Sequence, residues 1–223
     1  MKAIQSANGN PILSIREYDI ATGTQIKIGQ LVKLTAGLVV SCVAGETGAI
    51  LGIAAENHSG SADALDPRSN GTKILVIDAP DAIYETPAFK LTASGGSATS
   101  VTATTLGAYS ADDWNGGYLV LTKKASGSSN TDKIGTIKRI TDYAYTAEGT
   151  ISAFTVASAG AANEGDEYML FPPLGLAKFN LNATFDGLVN TAVTATSVKV
   201  VGMDIERGVI KCMAKKHFLG NNE

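Results

Sequence analysis

Between Gly29 and Glu56 the chain reads GQLVKLTAGLVVSCVAGETGAILGIAAE, short apolar runs broken by small-residue turns. Each run is too brief for an amphipathic helix, and glycine punctuates the series at hairpin spacing, so the segment is committed to β-strands. The same grammar marks strands at Ile12 to Ile15, Ile26 to Leu34, Leu38 to Val43, Ile50 to Ala54 and Lys73 to Ile77. The last of these, KILVI, is apolar on both faces and suits a strand covered on both sides. Ala36-Gly37, Gly45 to Gly48 and Asn70-Gly71 supply turns, since glycine and asparagine tolerate positive φ. The polar stretch NHSGSADALDP, Asn57 to Pro67, reads as a surface loop.

Past Ile83 the pattern changes. TPAFKLTASGGSATS reads as a loop, and a second strand series runs from Val101 to Phe171. Within it YLVLTKK, IGTIKRITDY, TISAFTVA and EYMLF predict a meander, with Pro87 and Pro173 near the edges of an insertion. After Pro173 the segments KFNLNATF, SVKVVGMD and GVIKCMA resume the first unit. The expected fold is therefore all-β: a β-barrel or β-sandwich base built from both chain ends, with a smaller β domain inserted. The predicted boundaries are an N-terminal arm at 1–12, a base at 13–87 and 175–218, the insertion at 88–174 and a flexible tail at 219–223. Insertions of this kind are tolerated at exposed turns.

Composition removes several classes of function. Charged residues are 17% of the 223 and the formal net charge is −3, against roughly 25% charged residues in an average domain. The densest basic groups are the isolated pairs Lys123-Lys124, Lys138-Arg139 and Lys215-Lys216, which are expected on solvated edge strands. They give no footprint for nucleic acid. No apolar run is long enough to span a bilayer, and AIQSANGNP lacks the apolar core of a signal peptide, so synthesis in the cytosol and no membrane partner are expected. In a reducing compartment Cys42 and Cys212 are then small buried hydrophobes rather than a disulfide.

Catalysis needs convergent groups, and His58 and His217 are the only histidines. No nucleophile elbow, zinc-protease or phosphate-loop motif is present, and Gly45, Gly48 and Gly52 read as turn residues. Cys42, His58, Cys212 and His217 lack the paired spacing of a zinc site. Asp112, Asp113, Glu164, Asp166 and Glu167 sit in glycine-rich turns, where carboxylates bond local amides more often than calcium. No catalytic residue, metal or cofactor is expected. Trp114, beside Asp112, Asp113 and Asn115, is expected to anchor a turn on the core of the insertion.

The run Gly29 to Glu56, followed after a loop by GTKILVID and a short acidic stretch, resembles the capsid decoration (cement) proteins of tailed bacteriophages. The likeness covers roughly Ile12 to Tyr84. In the insertion, DDWNGGYLVLT, GTIKRITDY and NEGDEYMLFP are similar to β modules of phage structural proteins. The resemblance implies a protein that performs no reaction, made in the host cytoplasm and bound to the outer surface of the virion. Its implied partner is the major capsid protein, and its implied assembly is a homotrimer at local three-fold positions.

A surface role with no reactive residue is what the family transfers. The candidate capsid contact is the polar N-terminal arm, with Lys2, Ile4, Pro11, Ile12 and Leu13 as its residues, because Pro11 favours an extended approach and an arm can add a strand to a partner's sheet. The competing expectation is a carbohydrate- or receptor-binding module using Trp114, Tyr109, Tyr118, Tyr143 and Tyr145 of the insertion.

Overall fold

The computed structural model describes residues 2–6, 14–21, 23–43, 48–59, 72–104, 112–145, 152–157, 160–176, 180–181, 188–189, 198–214 and 216–221. Among them there is no helix. The strands, in chain order, are β1 (Lys2–Ser6), β2 (Ile15–Asp19), β3 (Leu31–Thr35), β4 (Leu38–Ser41), β5 (Gly52–Ala54), β6 (Lys73–Ile77) and β7 (Ala82–Pro87). They continue with β8 (Phe89–Ser97), β9 (Ser100–Ala103), β10 (Tyr118–Lys123), β11 (Ile137–Tyr145), β12 (Ser152–Val156) and β13 (Glu167–Phe171). The last six are β14 (Asn180–Leu181), β15 (Leu188–Val189), β16 (Val198–Asp204), β17 (Val209–Ala214), β18 (Lys216–His217) and β19 (Gly220–Asn221). The fold is all-β, as the punctuated apolar runs require.

The run that opened the sequence analysis becomes β3, β4 and β5, part of a five-stranded sheet ordered β2-β6-β5-β3-β4. Ala36 and Gly37 hold φ of 51° and 82° at the β3–β4 hairpin, the positive pair that matches strand twist in a two-residue turn. A parallel bridge between Ile20 and Val39 brings the two edges of this sheet together. The enclosed core is aliphatic: Ile20, Ile26, Val32, Val39, Leu51, Ala54, Ile74 and Val76. KILVI is β6 and lies inside the sheet between β2 and β5, with Ile74 and Val76 buried and Leu75 and Ile77 half-buried. Gly52 corrects the reading of glycine as a turn residue. It lies within β5, where a Cβ would stand 1.9 Å from the Ile77 carbonyl oxygen, so only glycine lets β5 and β6 approach this closely.

Both chain ends meet in a second sheet, ordered β1-β7-β17-β16 and antiparallel throughout. Leu31, Cys42, Ile50 and Ile53 from the first sheet join Tyr84, Ile210 and Cys212 of the second in one buried cluster. β2 is more polar than the apolar run expected before Ile15. It is an edge strand reading IREYD, mostly exposed, and an edge with solvent on one side has no need of apolar alternation.

Six strands between Phe89 and Phe171 form a closed barrel, β10-β11-β12-β9-β8-β13. The expected meander accounts only for β10, β11 and β12; β12 then pairs with β9, and β13 closes the barrel by pairing with both β8 and β10. The segment expected as a loop, FKLTASGGS, is instead the strand β8, hairpinned to β9. Its Phe89, Leu91 and Ala93 alternate inward against exposed Lys90, Thr92 and Ser94. This period-two signal prevails over the flanking glycines and serines because the inward face is buried.

Barrel and base are continuous inside. The Ala88 N–H donates to the Gly208 carbonyl at 2.8 Å, and the cluster containing Tyr84 and Cys212 runs on through Phe89, Trp114, Phe154 and Phe171. At the other end of the chain, residues expected within a flexible tail belong to a hairpin: β18 pairs with β19, Lys216 with Asn221 and His217 with Gly220.

Candidate interaction surface

Both cysteines and His58 are taken up by the packing of the base. Cys42 and Cys212 are free and fully buried. Burial pushes the Cys212 thiol up to about 12, and its Sγ lies 3.6 Å from the Tyr84 carbonyl, so it is no nucleophile. The His58 ring is 2% exposed and its Nδ1 lies 2.7 Å from the Thr24 carbonyl. Asp78, on the connection after β6, is fully buried; it accepts the Tyr18 hydroxyl and pairs with Arg16 at 3.5 Å. Burial, followed by this bond, raises Tyr18 to about 12. Among the described residues no three His, Cys, Asp or Glu side chains are grouped to hold a metal.

One end of the barrel is closed by a buried polar network that the sequence reading missed. Asn130 Nδ2 donates to Asp166 Oδ2 at 2.9 Å and to the Tyr168 hydroxyl at 3.2 Å, while its Oδ1 accepts the Asp132 N–H at 3.0 Å. Asp166 also accepts the N–H groups of Ala125 at 2.9 Å and Asn163 at 3.1 Å. Burial opposes ionisation of Asp166, but its bonds from Asn130, Ala125, Asn163 and Ser128 together hold it below the ordinary 3.8. Lys138 pairs with Asp132, its side chain 2% exposed, and donates to the Gly160 carbonyl at 3.3 Å.

The expectation that Lys138-Arg139 sits on a solvated edge is thus corrected for Lys138, because a closed barrel has no edge and strand parity puts Lys138 on the same side as buried Ile140. That parity was the available signal. The other acidic turn residues do not converge: Asp112 Oδ1 accepts the Asn115 side chain at 2.7 Å and Glu167 pairs with Lys123 at 2.7 Å.

Two of the five aromatics expected to form a carbohydrate platform, Trp114 and Tyr143, are interior. Trp114 is fully buried, edge-on to Phe89 at 6.0 Å, Phe154 at 6.3 Å and Tyr143 at 6.5 Å between ring centroids. It anchors the turn at 112–117, where the Asn115 N–H bonds the Asp112 carbonyl at 2.9 Å and the Gly117 N–H bonds the Trp114 carbonyl at 3.0 Å. Tyr143 is 1% exposed and Tyr118 half-buried. Tyr109 lies outside the described residues, and Tyr145 is placed only as the end of β11.

What remains is surface. Of the candidate contact residues, Lys2 and Ile4 lie on β1, while Pro11, Ile12 and Leu13 lie outside the described residues. β1 adds a strand to this chain's own sheet: Lys2 faces Glu85, Ala3 faces Tyr84, and a register shift precedes the pairing of Gln5 with Ile83. Glu85 is in turn clamped by Arg207, with two bonds of 2.8 and 2.9 Å between guanidinium and carboxylate.

Among the described residues, large exposed apolar side chains are carried mostly by the base, at Ile15, Ile28, Leu38, Val43, Phe218 and Leu219, with Ile134 and Ile137 on the barrel and Leu174 at its exit. Among the described residues no helix is long and apolar enough to cross a membrane. Comparison with family models, curated proteins and solved structures finds no match.

Proposed function

We propose that this chain is a structural, non-catalytic protein of a tailed-phage virion, a capsid decoration protein that attaches to the outside of the expanded head and ties neighbouring capsid subunits together. The observation that carries the reading is the division of surface: the base, which holds the decoration-like run as β3, β4 and β5, also holds most of the exposed large apolar side chains among the described residues. Such side chains near sheet edges are suited to a protein partner.

In this reading the base faces the major capsid protein and the barrel projects away from it. The copies form homotrimers made in the host cytoplasm. Binding only the intact, expanded lattice stabilises that lattice by mass action, and several contacts per trimer raise the effective affinity. The receptor-binding alternative has lost Trp114 and Tyr143 to the core and is not preferred.

The test is add-back. Heads stripped of the protein are mixed with purified chain, and bound copies and genome release on heating are measured. Saturable binding and a higher release temperature are expected; no saturable binding to expanded heads rejects the reading.

A further inference from the structure

The C-terminal hairpin is fastened to the base beside Ile50. His217 is 3% exposed and forms a parallel bridge with Ile50, and the Phe218 N–H donates to the Ile50 carbonyl at 2.8 Å. The imidazole also closes the hairpin's own turn, since its Nδ1 accepts the Leu219 N–H at 3.0 Å. A ring nitrogen that accepts an N–H carries no proton, so the ring is neutral with its hydrogen on Nε2. Phe218 and Leu219 are 55% and 44% exposed. The hairpin's tip therefore contributes little burial, and the imidazole is its anchor.

We propose that His217 is an acid-sensitive latch: protonation of its imidazole detaches the hairpin 216–221 from Ile50. The added proton goes to Nδ1, which turns from acceptor to donor. Two N–H groups then oppose each other where the Leu219 bond had been, and a charge sits in a site closed to water. Among the described residues the charged groups that bear on the ring are Asp78 and Asp81, both from the connection between β6 and β7, and with the Leu51 backbone they favour the cation. Asp78 is already engaged by Tyr18 and Arg16.

Burial outweighs these groups and holds His217 below the ordinary 6.5. A depressed histidine binds fewer protons folded than unfolded. The docking contribution is then complete above about pH 6.5 and is lost as pH falls through the lower folded value.

Amide hydrogen exchange on the full-length chain, corrected for the intrinsic pH dependence of exchange, tests this between about pH 7.5 and about pH 5. Protection of 217–219 should fall by roughly tenfold or more in acid while the barrel strands keep theirs. His217→Gln, which cannot titrate, should remove the pH dependence. Unchanged protection in the wild type, or the same pH dependence in His217→Gln, overturns the proposal. Nitrogen NMR of the wild-type imidazole tests it without a variant: Nδ1 should be unprotonated at neutral pH and should titrate together with the Leu219 amide, and an Nδ1–H tautomer at neutral pH refutes it.

Discussion

The five-stranded sheet of the base and the six-stranded closed barrel pack against different side chains. The buried cluster on the five-stranded sheet is aliphatic, with no side chain larger than isoleucine or leucine, and Tyr18 is partly buried against it. The six-stranded barrel holds Trp114, Tyr143, Phe154, Tyr168 and Phe171, and closes one end with Asn130, Asp132, Lys138 and Asp166. The interior of a closed barrel widens with strand number, so the six-stranded barrel encloses the wider space and takes rings, while branched aliphatics line the five-stranded sheet. The barrel also has open ends, where loop backbone must be satisfied away from water, and a polar network does that.

The comparison predicts the largest loss at the ring cluster. Trp114→Ala should cost about 3–5 kcal/mol in urea unfolding, and a loss under about 1 kcal/mol would show that the barrel is not organised around this ring. Because one buried cluster runs from Tyr84 to Trp114, circular dichroism and the fluorescence of the single tryptophan should report one transition in the wild type. Two separated transitions would divide base from barrel.

Next in size is the buried pair. Lys138→Met leaves the Asp132 carboxylate without its cation and should cost about 3 kcal/mol. Adding Asp132→Leu should recover much of it, and full additivity of the two would mean that the pair is not coupled. In the aliphatic core the effect is smaller: Ile74→Val should cost about 1 kcal/mol by the same measurement.

Acid sharpens the contrast. Asp166 is held below 3.8 when folded, so its contribution is complete above about that pH and is lost as pH falls through the lower folded value. Asp166→Asn should flatten this part of the stability profile, and an unchanged profile would remove Asp166 from the account. The smallest effect is expected at the exposed Lys73–Glu17 pair, 3.1 Å apart, where Lys73→Ala should change stability by less than about 0.5 kcal/mol.

Strands of the base were legible where short apolar runs are punctuated by turns: KILVI, apolar on both faces, is β6, and Ala36-Gly37 is the β3–β4 turn. Strands whose reason to exist lies elsewhere were not. β2 is polar because it is an edge, and β8 was hidden by Gly95 and Gly96 although Phe89, Leu91 and Ala93 kept the alternation. Closure by β13 against both β8 and β10 depends on contacts far apart in sequence, which no local pattern encodes. Lys138 looked like a solvent residue because its identity was weighed above its parity. Of the candidate surface, the placement of Lys2 and Ile4 on a strand paired with β7 was not legible either, since the partner edge lies some eighty residues away.

Electron cryomicroscopy of expanded heads decorated with the purified chain tests the functional account most directly. The account predicts trimeric density at repeated lattice positions, with β3, β4 and the hairpin β18–β19 of the base toward the capsid and the six-stranded barrel pointing to solvent. Heads that carry no added density, or density that meets the capsid through the barrel with the base outermost, would contradict it.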